Sequence, residues 1–249
     1  MGREPQSLRI VTYNIHKGRG IDGRIRIERI LNVLRDVDAD IIALQEVVVN
    51  PLARSDQANQ ARYLAGELGH AYHFAETRLH RLGWFGNMTL SRWPIESAHQ
   101  IDLSVAGRRP RGALRTDIRV DKTLLHVFNV HLGTAMRERH AQAKLIDERL
   151  LKLLDISGHR VVLGDFNDWN HGLVTQTLRQ EFNLTDLAQH LPRTRAYPAL
   201  LPLLHLDHIY LDHHLKIENA RFHRTRRSLI ASDHLPLLVD VQGPTARRT

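Results

Sequence analysis

The order of apolar segments along the chain constrains its fold most, because strand-like runs outnumber helical ones and are joined in two ways. Helical segments separate some of the runs, and turns that carry Gly or Pro separate several others. This order favours a mixed α/β domain with two sheets over one doubly wound sheet. The predicted strands are Leu8–Ile15, Asp40–Val48, Ala71–Glu76, Gly86–Ser91, Ile95–Leu103, Ala113–Val120, Thr123–His131, Val161–Asp165, Leu206–Leu211, Leu215–Phe222 and Leu235–Val241.

Four other segments are predicted to be helices. They are Ile25–Val37, Ser55–Leu68, Met136–Leu154 and Leu173–Phe182. Ser55 is a suitable N-cap for the second helix, and Gly69 ends it. No repeat or linker divides the 249 residues, so we expect a single domain with a core at about residues 8–242 and a basic tail at 243–249.

Composition narrows the possible chemistry. The chain has no cysteine, which excludes disulfides, zinc–thiolate sites, iron–sulfur clusters and cysteine nucleophiles. The short polar stretch Met1–Ser7 lacks the pattern of a signal peptide, and no apolar run reaches membrane-spanning length. We therefore expect a cytoplasmic protein that is not inserted into a membrane. The net charge of +8 favours a polyanionic partner such as nucleic acid, an acidic membrane surface or a phosphorylated small molecule, although it also serves plain solubility.

Polar residues recur where the predicted strands end. The positions are Asn14, Glu46, His131, Asp165, Asn167, Asp207, Asp233 and His234. Strand ends are where loops hold reactive groups over a rigid scaffold. Hydrolysis of a phosphoester needs such a set, because Mg²⁺ takes oxygen ligands and a base must remove a proton from water. Glu46, Asp165 and Asp233 are candidate carboxylate ligands, and a histidine held by a carboxylate, such as His234 with Asp207, is a candidate base.

Each of these residues also has an ordinary structural explanation when taken alone. An aspartate before a turn, such as Asp165, is usually a cap, and a single His131 is more often a hydrogen-bonded core residue. The basic stretches Arg108–Arg111 and Arg224–Arg227 are typical of solvated charge. Glu46 is harder to explain structurally, because an unpaired carboxylate inside an apolar run is costly. The joint occurrence of the set favours chemistry.

Six short motifs occur in one order from Thr12 to Pro236, nearly the whole chain. They are Tyr-Asn, Leu-Gln-Glu, Asn-x-His-Leu, Gly-Asp-Phe-Asn, Leu-Asp-x-Ile and Ser-Asp-His-x-Pro. This order resembles the endonuclease/exonuclease/phosphatase superfamily, which includes deoxyribonuclease I, abasic-site endonucleases, sphingomyelinases and inositol polyphosphate phosphatases. The resemblance implies a four-layer αββα sandwich with the site at one edge of two packed sheets.

The resemblance also implies roles for individual residues. Glu46 and Asn14 would hold Mg²⁺, with Asp165, Asn167 and Asp233 contributing, and Mn²⁺ is a possible substitute. Asp165 would orient or deprotonate the attacking water. His234, oriented by Asp207, would act on water or phosphate. The phosphate would be contacted by Asn167, by His131 and by Arg111, the last in Arg-Gly-Ala-Leu.

The motifs leave the substrate open. Leu204–Tyr210 departs from the Trp-Arg-Ile-Asp-Tyr stretch of abasic-site endonucleases, and Asn14–Gly18 looks more like a compact bacterial subgroup. The leading hypothesis is a monomeric nuclease that cleaves DNA, or RNA, with little sequence specificity and needs no protein partner. The alternatives are a hydrolase of phospholipids or small phosphoesters, and a nucleic-acid-binding module that has lost catalysis. The third is disfavoured because no expected metal or histidine position is missing.

Overall fold

The computed structural model describes residues 7–52, 56–80, 83–151, 158–169 and 172–242. The strands are β1 Ser7–Asn14, β2 Ile41–Val49, β3 Ala71–His80, β4 Gly83–Ser91, β5 Ile95–Asp102, β6 Gly112–Val120, β7 Thr123–His131, β8 His159–Asp165, β9 Leu184–Asp186, β10 Asp207–Asp212, β11 Ile217–Phe222 and β12 Leu237–Gln242. The helices are α1 Ile27–Val37, α2 Gln60–Leu68, α3 Met136–Ile146, α4 Leu173–Gln176 and α5 Arg226–Ala231. Within these ranges, no helix is long and apolar enough to cross a bilayer.

The strands form two six-stranded sheets. The first has the order β11-β12-β1-β2-β4-β3, and the second has the order β5-β6-β7-β8-β10-β9. In each sheet one central pair is parallel, β1 with β2 and β7 with β8, and the other pairs are antiparallel. The carboxyl ends of these four strands bring Asn14, Glu46, His131 and Asp165 to one edge.

Three apolar clusters fill the spaces between four layers. Helices α1 and α2 pack on the outer face of the first sheet, and α3 and α4 pack on the outer face of the second. Between the sheets, alternate residues such as Ile10, Val127, Leu163 and Ile209 form the central cluster. Burial of these faces drives the layering. The predicted αββα sandwich is confirmed.

A buried polar network also joins the two sheets. The side-chain amide of Gln45 on β2 donates to Asn129 Oδ1 on β7 at 2.8 Å. Asn129 in turn donates to the carbonyl groups of Leu44 and Met88 in the first sheet, at 3.0 and 2.9 Å. Both residues lie in motifs noted above, one position before Glu46 and two before His131. Their amides tie the sheets together directly beside the site.

Several predicted boundaries were wrong. Helix α2 begins at Gln60, where Asn59 accepts a hydrogen bond from Arg62 N as the N-cap, and Ser55 lies outside the described residues. Helix α3 ends at Ile146 and continues as a π-helical segment to Leu151. The predicted remainder of that helix and the tail at 243–249 also lie outside the described residues. Strand β9 and helix α5 were not predicted.

Candidate active site

Strand alternation explains how the polar residues reach one place. Inner-face positions are apolar in the middle of each central strand and become polar at its end. Ile10 on β1 thus leads to Asn14, and Leu163 on β8 leads to Asp165. The register then pairs His131 with Asp165 and Asp165 with Asp207 across three neighbouring strands. The structure therefore brings these predicted residues together at the edge where the two sheets meet.

Asp165 is the centre of the cluster and is 2% exposed. Asn14 Nδ2 donates to Asp165 Oδ2 at 2.9 Å, and the Asn167 amide N–H donates to Oδ1 at 3.0 Å. His131 Nε2 and His234 Nε2 lie 3.6 and 3.9 Å from Asp165 Oδ2. Burial, with the nearby carboxylate of Asp207, raises the pKa of Asp165 to about 6, although His234 and the two hydrogen bonds oppose this.

His234 is held by a buried carboxylate. Its Nδ1 lies 2.8 Å from Asp207 Oδ2, and its ring packs 4.7 Å, centroid to centroid, from the ring of Tyr197. Burial alone would lower the pKa of His234, but Asp207, Asp165 and Asp233 outweigh it and raise this pKa to about 10. The surrounding carboxylates therefore favour the protonated form of the His234 imidazole.

His131 has the opposite electrostatic character. Arg111 Nη1 donates to His131 Nε2 at 2.5 Å, so that nitrogen is an acceptor and the ring is neutral. Burial and the charges of Arg111 and His234 hold the pKa of His131 well below its usual value. One histidine of the site is thus charged, and the other is neutral and orients an arginine.

Glu46 lies on a bulge of β2, where the pairing with β4 shifts between Leu44 and Val47. The bulge turns Glu46 out of the strand alternation, and its Oε2 accepts a hydrogen bond from Lys17 Nζ at 2.8 Å. The guanidinium of Arg78 lies 4.2 Å from the ring centroid of Phe85, which Lys17 approaches to 6.0 Å. Lys17 and Arg78 therefore add two cations to this side of the site.

The backbone is strained at the same place. Four residues other than glycine have positive φ there, namely His16 at 46°, Lys17 at 63°, Glu46 at 60° and Asn167 at 50°. A side chain in this region is unfavourable, more so for Lys and Glu than for the Asp and Asn residues that adopt it elsewhere in the described chain. Strain that surrounding structure maintains is a feature of functional sites.

The donor set suits a cation with few protein ligands. In the described part of the chain, no group of three or more Asp, Glu or His side chains is placed to hold a metal ion. Mg²⁺ needs no such cage, because it keeps several waters and often binds through one or two carboxylates. Glu46, at the edge beside Asn14, fits that requirement. Asp233 lies 3.3 Å from His16 Nδ1, and the side-chain amide of Asn167 donates to Leu132 O at 3.1 Å.

Sequence reasoning gave no role to Lys17, Arg78, His16 or Tyr197. Lys17 and His16 lie in the stretch Asn14–Gly18, which in the sequence indicates only a resemblance to a bacterial subgroup. Arg78 and Tyr197 carry no recognisable motif, since their position depends on how β3 and the segment before β10 pack. Only the three-dimensional arrangement assigns them to the site.

Comparison with known proteins agrees with this geometry. Residues 11–234 match the sequence pattern of the Endonuclease/Exonuclease/phosphatase family. The chain belongs to this family. Members of the family are phosphoester hydrolases, which places the chemistry of this chain in that class.

Relatives of known sequence or structure extend over most of the chain. YbhP of Escherichia coli (strain K12) is 35% identical over 250 residues, covering 94% of this chain and 96% of YbhP. A family structure from Beutenbergia cavernae superposes with a TM-score of 0.78 at 20% identity, over 98% of this chain and 73% of that one. The mannosyl-6-phosphatase Bt3783 of Bacteroides thetaiotaomicron gives 0.72 at 17% identity, over 94% and 99%. These two likenesses support the family fold.

Proposed function

We propose that the protein is a divalent-metal-dependent phosphodiester hydrolase in which a positioned water attacks phosphorus in line with the leaving oxygen. The observation that carries this proposal is the pair of buried groups at the centre of the site, Asp165 and His234, whose Oδ2 and Nε2 atoms lie 3.9 Å apart and whose pKa values are both raised. Buried titratable groups with perturbed pKa values in direct proximity are typical of catalytic sites.

The proposed division of labour follows from protonation. Asp165, with a pKa of about 6, is a carboxylate at neutral pH and accepts the proton of the attacking water. Asn14 and the Asn167 backbone fix its orientation. His234 is already protonated, so it donates to a phosphoryl oxygen and cannot serve as the base. Of the two roles that the sequence left open for His234, we propose the phosphate-facing one.

The other side chains hold substrate. Arg111, oriented by His131, contributes positive charge at the phosphoryl oxygens. The side-chain amide of Asn167 contributes a further hydrogen-bond donor. Glu46 holds the cation, with Asn14 and Asp233 beside it, and Mg²⁺ is the proposed ion with Mn²⁺ as a substitute. When bound, this cation polarises the phosphoryl oxygen and offsets the charge of the transition state.

Nucleic acid is the first candidate substrate. The net charge of +8 and the cations Lys17, Arg78 and Arg111 beside the site suit a polyanionic backbone. Phosphate contacts of this kind carry no sequence information, so the proposed nuclease has low sequence specificity. A monomer acting on DNA, with RNA as a second polymer, is the form of the hypothesis to test first.

The experiment is cleavage of supercoiled plasmid in Mg²⁺ and, separately, in Mn²⁺ at low salt. Asp165→Asn, His234→Gln and an EDTA lane are the controls, and added salt should suppress the wild-type reaction. Nicking by the wild type alone would support the nuclease. Plasmid that is bound but stays intact in both metals would favour a binding module without catalysis. Plasmid that is neither bound nor cut would remove DNA as the substrate.

A phospholipid headgroup is the second candidate, and one observation favours it. Three leucines between β9 and β10, Leu200, Leu201 and Leu203, are each more than half exposed close to the site. Release of phosphate or of a headgroup from phospholipid vesicles in Mg²⁺, absent in Asp165→Asn, would support this candidate. The same assay with soluble phosphomonoesters separates lipid hydrolysis from a small-molecule phosphatase.

A further inference from the structure

Exposed apolar side chains are concentrated at one end of the molecule. Among the described residues, thirteen large apolar side chains are exposed, and Tyr72, at the start of β3, is the only one at the end of the sheets opposite the active site. The remaining twelve lie in or beside the connections that leave the catalytic ends of the strands. Exposed apolar side chains mark an interaction site where several of them cluster in one segment.

The segment before β10 is the most prominent part of this surface. Tyr197 and Leu204 form an isolated antiparallel bridge, which closes a short turn between them. Leu200, Leu201 and Leu203 project from the turn and are 56%, 65% and 55% exposed. The base of the turn is fixed, because Ala196 and Ala199 are buried in a small apolar cluster with Leu235.

Arginines surround this leucine turn. Arg193 and Arg195 precede it, and no carboxylate in the described residues pairs with either side chain. Arg224 Nη1 donates to Ala199 O at 2.6 Å, which joins its guanidinium to the turn. The three side chains also line one pocket together with Pro202 and Phe222. The turn therefore presents apolar tips inside a rim of unpaired positive charge.

We propose that the leucine turn, Tyr197–Leu204 with its rim of Arg193, Arg195 and Arg224, is a docking surface for an anionic phospholipid bilayer. Leucine tips enter the acyl boundary, while guanidinium groups bind headgroup phosphates, and both effects favour an anionic leaflet. A nucleic-acid backbone would use the arginines but not the leucines. A second copy of the chain would set the same arginine rims against each other across a two-fold axis.

The turn is connected to the active site by direct contacts. The Tyr197 ring packs on His234, and Ala199 N donates to Asp233 O at 2.7 Å. A membrane bound at the turn would therefore lie next to the cluster around Asp165, at the level of headgroup phosphates. This connection depends on the proposed phosphoester hydrolysis for its catalytic meaning, whereas the docking itself does not.

The test is sedimentation of the full chain with vesicles in EDTA, so that binding is measured without turnover. Vesicles of phosphatidylcholine mixed with phosphatidylglycerol are compared with vesicles of phosphatidylcholine alone. We expect binding to the mixed vesicles only, weakened on the order of tenfold or more in a Leu200→Ser, Leu201→Ser, Leu203→Ser triple variant. A double variant, Arg193→Ser with Arg195→Ser, should bind the mixed vesicles more weakly, and its binding should depend less on salt concentration.

Tyr72→Ser is the matched control, since it removes an exposed apolar side chain from the opposite end of the sheets. Binding of this variant should equal that of the wild type, and thermal melts establish that all variants fold. The proposal is overturned if the wild type does not sediment, or if the triple variant sediments as well as the control. Two further results would overturn it, each with vesicle binding unchanged in the triple variant. One is the loss of a wild-type dimer in gel filtration, and the other is weaker binding of DNA.

Discussion

At the scale of single residues, the proposed reaction depends on the protonation states of Asp165 and His234. The proposed base Asp165 would work when deprotonated, so its pKa of about 6 predicts that the rate falls as pH drops below that value. The proposed donor His234 would work when protonated, so its pKa of about 10 predicts that the rate falls as pH rises above that value. We expect a bell-shaped dependence of kcat/KM on pH, measured on whichever substrate the protein cleaves.

Asp207→Asn makes this prediction specific. Asp207 raises both the pKa of His234 and the pKa of Asp165, so removal of its charge moves both limbs of the profile to lower pH. The maximal rate should also fall by about 10- to 100-fold, because His234 loses its orienting partner. Asp240→Asn is the control, since that carboxylate binds Arg9 and Arg221. Profiles with unshifted limbs in Asp207→Asn would contradict the assignment of roles.

Much of the site could be predicted from residue order, and the reason is geometric. A polar residue at the end of an apolar strand lies at the edge of the sheet, so Asp165, His131 and Asp207 needed only their motifs. Their charge states could not be predicted in this way. Two histidines of one site, His131 and His234, differ in protonation because one faces Arg111 and the other faces carboxylates.

At the scale of secondary-structure elements, the site needs β7 and β8 in close register. Gly164 has a φ of 147°, and a Cβ placed there would lie 1.9 Å from Val130 O on β7. We expect Gly164→Ala to separate the strands, to lower the free energy of unfolding by roughly 1–3 kcal/mol, and to reduce activity because His131 and Asp165 are paired in this register. Thermal melts and kcat together measure the effect.

Gly66 provides the opposite case in the same chain. It lies in α2 on the exposed surface, and a Cβ there would meet no atom within 4 Å. Gly66→Ala should raise the free energy of unfolding by about 0.5–1 kcal/mol, since glycine weakens a helix interior, and should leave activity unchanged. Equal destabilisation by both substitutions would mean that close approach of β7 and β8 is not what Gly164 provides.

Element boundaries were less predictable than element types. Ser55 and Asn59 are both good N-caps in sequence, and the structure uses Asn59 at the start of α2. Helix α5 begins within the basic stretch Arg224–Arg227, where a Thr225–Ser228 capping box starts it. That stretch lacks an apolar stripe long enough to indicate a helix. Local hydrogen bonds and packing fix the start of α2 and the presence of α5, and the spacing of apolar residues does not indicate either one.

At the scale of the whole molecule, two sheets meet at an edge where the polar groups outnumber their partners. Gln45 donates to Asn129, and Asn129 donates to the carbonyl groups of Leu44 and Met88, but Gln45 Oε1 is buried without a partner in the described residues. Asp207 Oδ1 is also buried without a partner there, and Glu46 is paired with the ammonium group of Lys17. The charged groups at this edge are those that the proposed metal and phosphate would contact.

This arrangement predicts that a divalent cation stabilises the whole protein. An ion that binds only the folded state contributes about 2.7 kcal/mol at a concentration 100 times its Kd, which is on the order of 5–10 °C in Tm for a domain of this size. We expect Mg²⁺ or Mn²⁺ to raise the Tm of the wild type, and Glu46→Gln to abolish the rise because the proposed anchoring carboxylate is gone.

Lys17→Met should give the same rise in Tm at lower metal concentration, since the Lys17 ammonium and the cation would compete for Glu46. A rise that survives Glu46→Gln would place the cation elsewhere, and a higher metal requirement in Lys17→Met would mean that Lys17 supports the cation and does not compete with it.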